Sequence, residues 1–524
     1  MRRRLLLPAT LSLALCGLAC GGGGSAAPPY LEPREPRISC PAPVLLDGGL
    51  SPAADPGAAC LGAPRPSALP AAGLDGPQGW LDLGAHRVGE VVDVPVPAGT
   101  ASLLLMEQLV RGGPPGQKTV ITFTDSGTTQ TQDNVAVIGE LHDPGGRLVY
   151  TDLEVISGSD FSGALLFAAG AGAVVGSVAY PSTSAGLQAI GAGGVAPGTW
   201  RVLVNDYGYE CWLASQQAPP PGLAGISCDA ASRTDDAVYR VYALTTPVAA
   251  PGGSSAIRAT GTLDVAFHLV DAPTPLIGIT AAQAPTHPAL RRMVESFGWL
   301  LSGAGICLGS VTFYDEQDWA RARFATGTSA DDQLPCGNLP QLLATSRPGA
   351  RTLELFLVPR LNATATDTGV VVGVDGTIPG PATVNGTISS GGVVSAEDLG
   401  AGTCPSPGGT PVSPPRPAAC GQDRVAYIAA HEAGHFLGLY HPSEAGGDLF
   451  DPLSDTPRCE CTSRCGFTPA SCAQGVTPSR CVKPDPTCAG GTNLMFWQLG
   501  SVSAGHLSPE QARIVRSSPV VRSP

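Results

Sequence analysis

The spacing of apolar and polar residues along this chain changes character near its middle. Between about residues 77 and 215 the apolar residues fall in short runs: VVDVPVP (91–97), ASLLLMEQLV (101–110), TVITFTDS (119–126), NVAVIGELHDPGG (134–146) and TWRVLVNDY (199–207). Gly, Pro and Asp turns separate them, a spacing that predicts an all-β sandwich. Farther on, strands alternate with helices. Residues 263–270 read as a strand; Leu290, Met293, Val294, Phe297 and Leu301 then share one helical face, predicting a helix capped by Thr286 and ending near Gly303. Strands are predicted at 306–313 and 353–358, whereas 366–400, rich in Gly, Thr and Val without a helical period, predicts loops and an edge strand. A Pro-rich loop (405–417) leads to a predicted helix over 423–437. A last helix starts at Ser508, where Pro509 at the first helical position and Gln511 three places on form a start signal. The predicted fold is multidomain, an N-terminal β-sandwich (77–235) followed by an α+β domain (236–524).

Composition narrows the partners. Charged residues make up 14% of the 524-residue chain, the net charge is −13, and lysine occurs only at Lys118 and Lys483. Without a basic patch, no nucleic-acid partner is expected. Residues 1–20, MRRRLLLPATLSLALCGLAC, combine an arginine-rich start, a short apolar core and small residues, which reads as an export signal and is too short for a membrane span. Gly17-Leu18-Ala19-Cys20 resembles a bacterial lipobox, with Gly17 where leucine is usual. The resemblance implies lipidation of Cys20, the GGGGS that follows serving as a tether, and an outer-membrane or cell-surface location. Cleavage after Ala19 by an ordinary signal peptidase gives the alternative, simple secretion. Residues 21–76, rich in Pro, Ala and Gly, read as a flexible tether or propeptide.

Setting aside Cys16 and Cys20 leaves 14 of the 16 cysteines, an even number that fits disulfides in an exported protein. Sequence neighbours suggest Cys40–Cys60, Cys211–Cys228, Cys307–Cys336 and Cys404–Cys420. The other six, Cys459, Cys461, Cys465, Cys472, Cys481 and Cys488, crowd an insert (459–488) and read as disulfides rather than as a second zinc site.

The densest chemistry lies in HEAGHFLGLYH, residues 431–441. On a helix, His431 and His435 stand one turn apart on the same face and can share a metal ion, with Glu432 beside them. Gly438 allows a left-handed exit that brings His441 back as a third ligand. Three imidazoles with a fourth position left to water suit a catalytic Zn2+. A zinc-bound water is acidified to near neutrality, and Glu432 is placed to take its proton and pass it to a leaving amine. His86, His142, His268, His287 and His506 lack ligand spacing and read as surface or strand residues.

This stretch resembles the metzincin signature HExxHxxGxxH, and Asn493-Leu494-Met495-Phe496 resembles the methionine turn that follows it in that family. The resemblance implies a metzincin zinc metalloendopeptidase acting on protein or peptide substrates, with Met495 packed beneath the ligands. It also implies that the 366–400 region borders the substrate cleft. Trp497 stands where serralysins carry a tyrosine, so a tyrosine ligand switch is not expected. Asp451-Pro452-Leu453-Ser454-Asp455-Thr456-Pro457 before a Cys-rich insert is more similar to the pappalysin and cytophagalysin group. Asp448, Asp451, Asp455 and Glu460 offer a Ca2+ site or a solvated acidic turn. HDPGG (142–146) and APGTW (196–200) loosely resemble jelly-roll accessory domains of secreted bacterial proteases. The competing expectation is a surface-binding lipoprotein that uses the sandwich and carries a catalytically weak metzincin domain.

Overall fold

The structure is a computed structural model that describes residues 32–51, 80–112, 118–123, 128–133, 136–151, 168–170, 175–219, 225–249, 255–270, 278–324, 328–329, 337–347, 351–362, 373–382, 389–405, 415–472 and 474–524. Cys20, Cys60 and Cys336 lie outside the described residues. No helix among those described is long and apolar enough to cross a membrane.

Apart from the short parallel pair Thr328–Ser329 and Leu361–Asn362, the described strands of the C-terminal half join one amino-terminal strand in a six-stranded sheet. Its spatial order is Val44–Leu50, Ile306–Asp315, Gly261–Leu269, Leu353–Val358, Gly392–Ser395 and Gly373–Asp375. Every pairing is parallel except the last, where Gly373–Asp375 runs antiparallel and closes the sheet. LELFLV at 353–358 is apolar almost throughout because both faces are covered, as in parallel sheets generally. Leu353, Leu355 and Leu357 join the core that holds Phe297 and Val425, while Phe356 and Val358 pack with Phe324 and Leu342 on the other side.

The helix Pro288–Ser302 lays Phe297 edge-on against Phe267 of the central strand, ring centroids 5.8 Å apart, and ends at Gly303 as expected. Its start differs from the expectation. Thr286 closes a preceding 3-10 turn, Ala284–Thr286, and His287 takes the cap position. Pro288 is the reason: its missing N–H costs nothing at the first helical position, so the helix begins there.

The amino-terminal part departs further from the sequence reading. Val44–Leu50, expected within a tether, is a strand paired in parallel with Ile306–Asp315. That register brings Cys40 abreast of Cys307, and these two form the disulfide (Cα–Cα 5.3 Å) in place of the expected pairings with Cys60 and Cys336. Sequence neighbours were the wrong guide because parallel pairing joins residues from distant parts of the chain. Ahead of this strand, Glu32 accepts from Thr492 and Gly490, Glu35 pairs with Arg516, and the Arg37 guanidinium lies 3.3 Å over the Trp299 ring centroid. Cys211–Cys228 and Cys404–Cys420 pair as expected. The insert holds Cys459–Cys481, Cys461–Cys472 and Cys465–Cys488.

The strand predicted at 119–126 falls, as Lys118–Phe123, in a separate three-stranded sheet with Thr128–Asp133 and Ile226–Cys228, and the other strands predicted for the first half are present in two facing sheets. One orders Leu81–Arg87, Val238–Pro247, Thr100–Arg111, Val175–Tyr180 and Ala168–Gly170; the other orders Val91–Val96, Gly198–Asp206, Ala136–His142 and Leu148–Thr151. Burial alternates along Val91–Val96, with Val92, Val94 and Val96 inward, the period-two pattern of a sheet covered on one face. The sheets approach closely at Gly176, where a Cβ would lie 2.8 Å from Ala136 O. Val238–Pro247, placed by the sequence beyond the 235 boundary, pairs inside this region. The interior residues of the two sheets and of the helical half belong to one continuous core.

Candidate metal centre

The helix Gly421–Phe436 carries the first two candidate ligands. Its amino end is anchored from below: Asp423, buried, pairs with the Arg292 guanidinium at 2.5 Å and accepts from the Ser296 hydroxyl, tying it to Pro288–Ser302. Small residues on the packed face, Ala426, Ala429, Ala430 and Ala433, let the neighbouring helix and sheet approach. The helix ends as the sequence predicts. Gly438 takes a φ of 103°, a conformation that a Cβ resists, and the chain doubles back to His441.

The three histidines converge. His431 Nε2, His435 Nε2 and His441 Nε2 lie 3.1 Å from one another in all three pairs. Each ring turns its other nitrogen to an acceptor: His431 Nδ1 to Leu494 O at 2.9 Å, His435 Nδ1 to Leu439 O at 2.7 Å, and His441 Nδ1 to the Glu444 carboxylate at 3.0 Å. With the proton on Nδ1 in each case, three Nε2 lone pairs face one point, an arrangement that repels itself without a cation. Tetrahedral zinc with Zn–N of about 2.0–2.1 Å places its ligand nitrogens about 3.3 Å apart, within a few tenths of an ångström of what is seen. The residues therefore fit the ion. Burial, and then the neighbouring His441, push the His431 imidazole down to about 3; burial and the two other rings hold His435 well below its ordinary value. Both are neutral and ready to ligate.

Glu432 points across the cleft floor toward the closing strand of the sheet. A Cβ at Gly373 would stand 2.2 Å from Glu432 Oε1, and one at Gly392 would stand 3.0 Å from Glu432 Cβ, so these two glycines make the space the carboxylate occupies. Burial pushes Glu432 up to about 8; a divalent cation on the adjacent imidazoles would favour its ionised form. Asp375, also beside Gly392, is raised by burial and then by Glu432, and its Oδ1 is buried without a hydrogen-bond partner. Gly373, Asp375 and Gly392 escaped the sequence reading. Their strands are three and four residues long, and the surrounding Gly-, Thr- and Val-rich stretch has no period to single them out.

Met495 is fully buried, and its Sδ occupies the space that a side chain at Gly434 would need, 2.3 Å from that glycine's Cβ position. Asn493 holds the turn: its Oδ1 accepts from Met495 N at 2.8 Å, and its side-chain amide donates to Gln511 Oε1 at 2.8 Å. The Gly between the two helix histidines and the methionine downstream are thus one packing unit. Trp497 directs its indole N–H to Val476 O at 2.8 Å and lines the cleft. The cleft has a volume of about 1110 Å³, and Asp375, Ile378, Trp497 and Gln498 are among the residues that line it.

Among the described residues, the three histidines are the one group of His, Cys, Asp or Glu whose ligand atoms converge. In the acidic loop, which offers either a Ca2+ site or an acidic turn, two carboxylates have hydrogen-bond partners. Asp455 accepts from the Ser508 hydroxyl at 2.6 Å and Glu510 N at 2.9 Å, capping the helix Pro509–Ser517, whose Ser508–Gln511 capping box is present as predicted. Asp451 accepts from Leu453 N within its own turn.

No family model matches this chain, and no curated protein does. Among solved structures, the chain is similar to metalloproteinase-II from Bacteroides fragilis at 11% identity and a TM-score of 0.20, over 41% of this chain and 59% of that one. It thus spans less than two thirds of that protein, and a likeness at this level carries no argument about function.

Proposed function

We propose that the chain is a zinc-dependent endopeptidase of the metzincin type, its catalytic part built on the six-stranded sheet and the two-sheet region serving as accessory domain. The observation that carries this reading is the convergence of three Nε2 lone pairs next to a buried glutamate, on the floor of an open cleft. When bound, zinc supplies Lewis-acid chemistry, polarising the scissile carbonyl and acidifying a water. The chain's residues do the rest. Glu432 accepts the proton of the attacking water and delivers it to the departing nitrogen. Gly373–Asp375, the outermost strand of the sheet among the described residues, offers main-chain hydrogen bonds to an extended substrate, which would add to the sheet as a further strand. His431, His435 and His441 keep their tautomers through Leu494 O, Leu439 O and Glu444, and Met495 supports the helix from beneath at Gly434.

Six disulfides among the described residues support an exported protein, and lipid anchoring through Cys20 belongs to the same proposal. The deciding experiment is cleavage of denatured casein by the purified protein, abolished by a chelator and restored by stoichiometric zinc. A protein that binds one zinc tightly and leaves casein and a mixed peptide library intact would end the protease reading and favour a binding protein.

A further inference from the structure

Two of the three candidate ligands are oriented by backbone carbonyls, Leu439 O for His435 and Leu494 O for His431. Each carbonyl is linked through further contacts to a segment that the two-sheet region grips from outside.

The first grip falls on residues 378–382. Ser177, on the strand Val175–Tyr180 and fully buried, donates its hydroxyl to Pro379 O at 2.7 Å, and the Trp80 indole donates to Ala382 O at 3.1 Å. Between them, Gly380 N donates to Phe436 O at 2.9 Å, with no room for a Cβ against the Phe436 ring. Pro379 in turn lies 3.8 Å from where a Cβ of Gly438 would stand. The segment is clamped between the two-sheet region and the turn that presents Leu439 O. Ile378, at its start, lines the cleft and accepts from the Tyr440 hydroxyl at 3.3 Å.

The second grip falls on residues 452–454 and on Glu510, in the first turn of the last helix. Ser184, at the start of the helix Ser184–Ile190, donates its backbone N–H to Pro452 O at 3.2 Å, accepts from Ser454 N at 2.7 Å, and gives its hydroxyl to Glu510. The next residue, Gln511, holds the Asn493 amide, and Asn493 sets the turn that contains Leu494 O.

We propose that the two-sheet region is a working part of the metal centre, with Ser177 and Ser184 as positioning residues that fix, through Pro379 and Glu510, the two carbonyls orienting His435 and His431. Partners of metal-bound imidazoles typically matter by about 10–100-fold in metal affinity or activity when removed. Ser177 and Ser184 act one contact farther out, so a smaller effect is expected. The inference rests on the metal-site reading of the three histidines and not on the identity of the substrate.

The test uses the full-length protein, with zinc affinity measured by competition against a chromophoric chelator, and kcat and KM measured on one casein-derived peptide at a temperature where every variant is folded. Ser102→Ala is the control. Ser102 also bridges the two halves, donating to Ser517 O at 2.7 Å, but at the far end of the last helix. Ser177→Ala and Ser184→Ala should each weaken zinc binding about threefold to tenfold and lower kcat more than they change KM. Ser184→Thr, which keeps the hydroxyl, should restore both. Ser102→Ala should lower the melting temperature and leave zinc affinity alone. Unchanged zinc affinity in Ser177→Ala and Ser184→Ala would overturn the proposal, as would an equal loss in Ser102→Ala. Should Ser177→Ala fail to fold, Ser184→Ala decides alone. A loss of zinc affinity in a protein that cleaves no peptide would uphold this inference and remove the protease reading.

Discussion

Two groups of buried histidine chemistry sit in the same half of this molecule and are driven in opposite directions. In the candidate metal centre, His431 and His435 face other imidazoles, and burial strips them of their charge. In the sheet core, His268 is completely buried, yet its Nδ1 lies 2.5 Å from Glu316 and its Nε2 2.6 Å from Glu354. Burial pulls this imidazole down too, but the two carboxylates outweigh it and raise His268 to about 9. Desolvation is common to both sites, so the partners decide the charge state. The first arrangement leaves lone pairs for a cation brought from outside. The second supplies the anions from within, with both ring nitrogens occupied, and leaves no coordination chemistry.

The largest effects should come from the candidate metal centre. Glu432→Ala should retain zinc and fold while lowering proteolysis by at least about a hundredfold, the usual contribution of a general base. Stoichiometric zinc with unchanged turnover in that variant would remove Glu432 from the mechanism. His441→Ala should lose zinc affinity together with activity, by more than the about 10–100-fold expected for an outer partner, because it removes one of three converging donors. Metal analysis that finds one tightly bound zinc in an inactive His441→Ala protein would make His441 a structural residue, and the contrast with His268 would narrow to two histidines.

His268→Gln tests the other side. It leaves two buried carboxylates without their cation, and breaking a buried charge pair by removing one partner typically costs about 3–5 kcal/mol. Urea unfolding near neutral pH should show a loss of that order, while zinc affinity measured on the folded variant stays at the wild-type value. A variant as stable as the parent would mean that His268 is not a charged link between the strands.

The two sites also differ in how far they could be read in advance. The ligands occupy eleven consecutive residues, and helical geometry plus one glycine turn suffices to bring them together, so HEAGHFLGLYH announced its own arrangement. Ser508 and Gln511 were equally local. His268, by contrast, looked like an ordinary strand residue because its partners are 48 and 86 positions away. They meet it through parallel register, which sets His268 beside Tyr314 and Phe356 and delivers Glu316 and Glu354 from the same two strands and their ends. Cys40–Cys307 was missed for the same reason, its ends being 267 residues apart. Gly373 and Gly392 fall between these cases. Each lies in a Gly-rich stretch where only the approach of Glu432 distinguishes the glycine that cannot change from those that can.

The smallest and most specific expectation is the pH dependence of stability. The folded-state value of His268, about 9, exceeds its ordinary value of 6.5, so the native state binds this proton more tightly than the unfolded chain. The sign follows: the contribution is fully present below about pH 6.5 and is lost as pH rises through about 9, and a rise of this size corresponds to about 3 kcal/mol by linkage. Other groups titrate over the same range, so the informative quantity is the difference between wild type and His268→Gln in unfolding free energy, measured from pH 6 to 10. That difference should shrink steadily between about 6.5 and 9 and level off above. Among the described residues, the Arg347 guanidinium lies 4.0 Å from Glu354 at the partly exposed margin of the cluster. Arg347 is present in both proteins, so its interaction with Glu354 largely cancels in that difference. A difference that stays flat across the window would show that His268 carries the same charge in the folded and unfolded chain, and the two buried sites would then no longer differ in the way their geometry implies.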